Sequence, residues 1–64
     1  MSYEEKDYYV NLSEEDKAKF AELFKRAEER DLQEEVLDDT TLNVEQFDMD
    51  PIRALEEALE DWDC

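Results

Sequence analysis

Twenty-two acidic side chains stand against seven basic ones in 64 residues, a formal net charge of −15, and no other feature constrains the fold of this chain as tightly. Unbalanced charges repel one another in any compact state, so apolar burial has to outweigh them. Leu, Ile, Val and Phe number 14 of 64, about 22%. That lies just above the ~20% below which highly charged chains lean toward disorder. The composition therefore predicts one small domain, whose stability rises with salt, with a partner or with dimerisation. Below about 70 to 80 residues a single core rarely supplies more than ~3 to 5 kcal/mol of net stability.

The same composition excludes whole classes of function. The chain has no histidine and no glycine. Without histidine it lacks the usual general base near neutral pH and the commonest zinc ligand. Without glycine it cannot form the loops that cradle phosphates. Direct nucleic-acid binding needs rows of Lys and Arg, which this surface does not have. Carboxylate pairs abound, but acid/base catalysis needs them in an enclosing cleft, and 64 residues offer no such enclosure. The expectation is a protein that is not an enzyme and uses no cofactor or metal. The opening residues Met1 to Glu5 lack the basic start and apolar run of a signal peptide, and no stretch approaches ~20 apolar residues. A cytoplasmic protein without membrane association is expected, in the host cytoplasm if phage-encoded. Cys64, the single cysteine, can make no intrachain disulfide and reads as an incidental surface thiol.

The charge is unevenly spread. Residues 1–30 hold nine acids and six bases, a net of −3, whereas residues 31–64 hold thirteen acids and only Arg53, a net of −12. Soluble helical proteins usually mix signs on their surfaces, and only the first part does so. The functional surface is therefore expected in the second.

The pattern predicts a mainly α protein, a small three- to four-helix domain preceded by an N-terminal extended arm. Residues 1–12 form the arm, with Tyr8, Val10 and Leu12 alternating in a way that leaves a short strand open. Tyr3, Tyr8 and Tyr9 read as aromatic cover for the core. Residues 13–64 form the helical domain, with helices at about 14–30, 32–38, 44–48 and 51–63. Ser13 with Asp16 is an acidic variant of a capping box, and Phe20, Leu23, Phe24 and Ala27 then mark one apolar face. Leu32 and Val36 rotate away from that face, so a break is expected near Arg30 and Asp31. Asp31 with Glu34 reads as a second capping box, with Leu32, Val36 and Leu37 as apolar contacts. Asp38-Asp39-Thr40-Thr41 reads as a turn. Asn43 with Gln46 reads as the cap of a short helical turn, although Leu42 and Val44 alternate like a strand, with Phe47 buried either way. Asp50-Pro51 opens the last helix. Its residues Ile52, Leu55, Leu59 and Trp62 form a heptad-like seam, read first as a core contact, with a homodimer or a partner groove left open.

The end of that helix runs against electrostatics. Glu56, Glu57, Glu60, Asp61 and Asp63 crowd the turns where the helix dipole is already negative, at about 0.3 to 1 kcal/mol each at low salt. Natural sequences tend to break local rules at functional sites. A second set, Glu34, Glu35, Asp38 and Asp39, also falls on successive turns. Carboxylates at i and i+4 lie ~5 to 6 Å apart and imitate rows of backbone phosphate. In composition and layout these two sets resemble the small acidic DNA-mimic proteins that phages encode against restriction, repair or CRISPR nucleases. The resemblance implies an inhibitor that occupies the basic site of a nucleic-acid-binding protein. Those nine acids would be its contacts, and Tyr9, Phe47 or Trp62 an apolar anchor. The alternative is a helical adaptor or antitoxin-like module that engages a partner through the Ile52, Leu55, Leu59 and Trp62 seam.

The spacing also carries a partial calcium-loop echo. Asp39, Thr41, Asn43, Glu45 and Asp50 partly follow an EF-hand loop, but Val44 stands where glycine is needed and Asp50 where a bidentate Glu is needed. No calcium site is expected.

Overall fold

Ser13 and Asp50 set the frame of the molecule, each by capping a helix with its own side chain. In the computed structural model, which describes residues 3–64, Ser13 Oγ accepts the Asp16 N–H at 3.2 Å and opens helix α2, Glu14–Glu29. Asp50 Oδ2 accepts the Ile52 N–H at 3.1 Å and opens helix α4, Pro51–Asp61. Pro51 stands at the first helical position, where its missing N–H is not needed. Between them lies helix α3, Gln33–Phe47, and before them a single 3-10 turn, Tyr3–Glu5, and the short helix α1, Asp7–Val10. The described residues contain four α-helices and no strand, a small mainly α domain.

The described part of the first twelve residues is coiled where an extended arm was expected. Alternation of Tyr8, Val10 and Leu12 suggests a strand, yet the described residues contain no other strand to pair with it. Helical turns instead bring the tyrosines back onto α2. The Tyr3 ring lies 4.7 Å from that of Phe24 and 5.1 Å from that of Tyr9, and Tyr9 lies 5.5 Å from Phe20. Such edge and tilted contacts add to simple burial. The tyrosines do cover the core. The Tyr8 hydroxyl also meets Thr41 Oγ1 at 2.8 Å, which joins α1 to α3.

Helix α3 replaces the two short helices and intervening turn read from sequence. Asp38, Asp39, Thr40 and Thr41 lie in its interior. Its inward face is Val36, Leu37, Thr40 and Asn43, all buried, and two of these are polar. Each polar group is satisfied without leaving the helix face. The Thr40 hydroxyl donates to the Val36 carbonyl at 2.7 Å, and Asn43 Nδ2 donates to the Ala54 carbonyl of α4 at 3.2 Å. An apolar count cannot see such a face. The capping boxes expected at Asp31/Glu34 and Asn43/Gln46 do not form: Leu32 occupies the N-cap of α3 without a side-chain bond, and Asn43 is mid-helix. Phe47, expected to be buried, is 64% exposed at the last turn.

The break near Arg30 and Asp31 is present, and its chemistry recurs. Asp31 takes φ 59°, while the Leu32 N–H reaches back to the Ala27 carbonyl at 2.8 Å and the Asp31 N–H to Glu28 at 3.1 Å. This is a Schellman ending, in which the residue after the cap adopts the left-handed conformation. The end of α4 repeats it with Asp63 at φ 56°, the Cys64 N–H bonding the Leu59 carbonyl at 2.8 Å. Asp48 at φ 53° ends α3. In a chain without glycine, aspartate supplies every positive φ among the described residues.

The core joins Phe20, Phe24 and Ala27 of α2, Val36 and Leu37 of α3, and Ile52, Leu55, Ala58 and Leu59 of α4. Helix α4 packs on both α2 and α3. Its seam is thus used within the chain as far as Leu59. Trp62 departs from it: α4 ends at Asp61, and Trp62 turns outward to 42% exposure.

Candidate functional site

Helix α3 carries five carboxylates, Glu34, Glu35, Asp38, Asp39 and Glu45, and no base. Helix α4 adds Glu56, Glu57, Glu60 and Asp61, with Arg53 as its single base. Helix α2, by contrast, mixes six acids with four bases. Because α3 is continuous, Glu35, Asp38, Asp39 and Leu42 follow at i, i+3, i+4 and i+7 and share one face. That face meets the end of α4 along a groove of about 630 Å³, lined by those four residues with Asp61 and Trp62.

The groove brings together four of the nine acids singled out in the sequence: Glu35, Asp38, Asp39 and Asp61. The other five lie elsewhere. Glu34 borders a depression of about 300 Å³ that Lys6, Leu37 and Asp38 also line. Glu56 and Glu60 line a different groove, about 440 Å³, together with Arg26 and Arg53. Glu57 sits 3.4 Å from Arg53, one helical turn away. Asp63 is the left-handed residue that closes α4. Among the described residues, Glu57 is the one acid of the nine with a cationic side chain within 4 Å.

Within the groove, Asp39 of α3 and Asp61 of α4 line the same wall space. Burial raises the Asp39 carboxyl above its ordinary 3.8, and a hydrogen bond with Asp61 and the charge of Asp61 raise it further. A like charge held this close disfavours ionisation, and the same pairing would stabilise a cation placed between the two.

Two apolar groups complete the groove. Leu42 and Trp62 are 43% and 42% exposed. Sequence reasoning gave Leu42 no role at the site, because the expected turn at residues 38–41 separated it from Glu35 and Asp38. Read as one helix, the spacing 35, 38, 39, 42 would have found it.

The calcium-loop echo has no loop to occupy. Asp39, Thr41, Asn43 and Glu45 belong to α3, and the Asn43 side chain is committed to Ala54. No cluster of three or more acids or cysteines among the described residues is arranged to hold a metal ion. No described helix is long and apolar enough to cross a membrane. Comparison with protein-family models, curated proteins and solved structures finds no match.

Proposed function

We propose that this chain inhibits a basic, nucleic-acid-binding protein by presenting the charge of a phosphate backbone, as a phage-encoded inhibitor of a host nuclease, repair or CRISPR effector would in the host cytoplasm. The observation that carries this reading is the one-signed helix α3, whose five carboxylates have no base among them and three of which, Glu35, Asp38 and Asp39, line a groove with Asp61 of α4. An acidic surface kept only for solubility would mix signs, as α2 does. Duplex DNA carries one charge per ~1.7 Å of axis, and a protein that binds it supplies Lys and Arg to match. Helical carboxylates ~5 to 6 Å apart offer that protein a rigid substitute.

The test is competition. A panel of purified DNA-binding nucleases and repair proteins is titrated with the chain, and labelled duplex DNA is then added. Bound chain and DNA should exclude each other, and affinity should fall steeply between low and high salt. Replacing Glu35, Asp38, Asp39 and Asp61 together by lysine should abolish binding. A ternary complex of chain, DNA and target would overturn the reading. The adaptor reading would use the α4 seam, but Ile52, Leu55 and Leu59 are already buried in the core, so α4 would have to leave its own domain.

A further inference from the structure

Phosphate mimicry alone has no use for Trp62 and Leu42. Nearly half exposed, these two side chains leave apolar surface open between four carboxylates. Resting on the reading that the partner is a basic protein, we infer that this groove receives an arginine side chain of that partner, its guanidinium stacked on the Trp62 indole and bonded by the Asp39 and Asp61 carboxylates.

Three relationships support a cation from outside. The other acid-lined depressions described each hold a base of the chain itself: Arg26 and Arg53 in one, Lys19, Lys25 and Arg26 in another, Lys6 in a third. The groove at Trp62 has four acids and no base in its lining. Its acids also repel one another, since Asp61 raises the pKa of Asp39. A positive charge between them removes that repulsion when it binds. A second copy of this chain is a poor occupant, because it would bring another −15 to an acidic face.

The indole selects among cations. A guanidinium is planar, stacks on aromatic faces and offers a fork of donors suited to carboxylates, whereas an ammonium is a compact and strongly hydrated charge. Plain charge mimicry treats the two alike. A groove with a tryptophan wall does not.

Trp62 is the only tryptophan, so its fluorescence reports on this groove. The chain is titrated with hexa-arginine and hexa-lysine peptides at the same ionic strength. Hexa-arginine should change Trp62 emission and bind about five-fold tighter. By calorimetry, Trp62→Ala should remove this preference while both peptides still bind in a salt-sensitive way, and Trp62→Phe should keep part of it. Circular dichroism verifies that the variants remain helical. Equal affinities for the two peptides, or a preference that survives Trp62→Ala, would overturn the inference. A failure of the mimicry reading looks different: the arginine preference persists, yet DNA and the chain bind the same protein together.

Discussion

The Asn43 side-chain amide donates to the Ala54 carbonyl across 3.2 Å, a buried polar link from the middle of α3 to the first turns of α4. It fixes how the two acidic helices sit against each other, and so where Asp61 meets Asp39. Asn43→Ala should destabilise the fold by about 1 to 2 kcal/mol. For a domain of this size each kcal/mol lowers Tm by ~4 to 8 °C. Asn43→Asp should cost more, because it sets a carboxylate against a carbonyl oxygen. Thermal melts of the three proteins check the order.

Aspartate at the left-handed helix ends is tolerated at a cost. Asp31→Gly and Asp48→Gly should each stabilise the protein by about 0.5 to 1 kcal/mol, because glycine accepts φ near 55° without strain and the substitution removes a negative charge from a negative helix end. Asp31→Ala removes the charge but keeps a Cβ, so it should be less stable than Asp31→Gly. Equal urea midpoints for Ala and Gly at residue 31 would contradict the backbone conformation.

The Asp39 and Asp61 pair gives stability a pH dependence opposite to that of a salt-bridged acid. The folded chain holds the Asp39 carboxyl above its ordinary 3.8, through burial first and Asp61 second, so the folded state binds this proton more tightly than the unfolded one. The resulting stabilisation is fully present below the unfolded value and is lost as pH rises through the folded one. Stability should therefore increase as pH is lowered from 7 toward that range. Asp61→Asn should flatten this slope and move the Asp39 titration back toward its ordinary value, as carboxyl NMR would show. If Asp39 titrates identically in both proteins, the pair is not in contact.

Two apolar residues that look alike in the sequence should behave very differently. Leu55 is fully buried and Phe47 is mostly exposed. Leu55→Ala should cost about 2 to 5 kcal/mol and unfold much of the population, whereas Phe47→Ser should fall within ~0.5 kcal/mol of the parent. Denaturant titration separates these outcomes.

Where local chemistry decides structure, the sequence was legible. Ser13, Asp50 and Pro51 announce their helices, and the i, i+3, i+4 pattern of Phe20, Leu23 and Phe24 fixes the face of α2. Reading failed where tertiary contacts override local preference. Thr40 and Asn43 favour turns in isolation, but inside α3 their polar groups find Val36 and Ala54, and the helix runs through them. Tyr8 and Val10 favour a strand, but with no strand to pair among the described residues they coil into α1, which sets the Tyr8 ring against Phe20 and leaves Val10 exposed. The candidate site inherited the first of these errors. In the sequence its acids form two separate rows, and their junction at Asp39 and Asp61, with Leu42 and Trp62 beside it, depends on α3 being unbroken.

The contrast between a mixed-sign α2 and a one-signed α3 gives the molecule an electrical axis. A cationic body approaching from any side feels a torque as well as a pull, and the two surfaces turn toward each other before they touch. Random collisions waste most of their orientations, which is what ordinarily holds protein association to ~10⁵ to 10⁷ M⁻¹s⁻¹. For a chain of 64 residues, presenting the correct side on arrival matters as much as the contacts made afterwards. Under the proposed mimicry, which sets the chain in competition with a much longer polymer, that kind of speed is what a small protein gains most from.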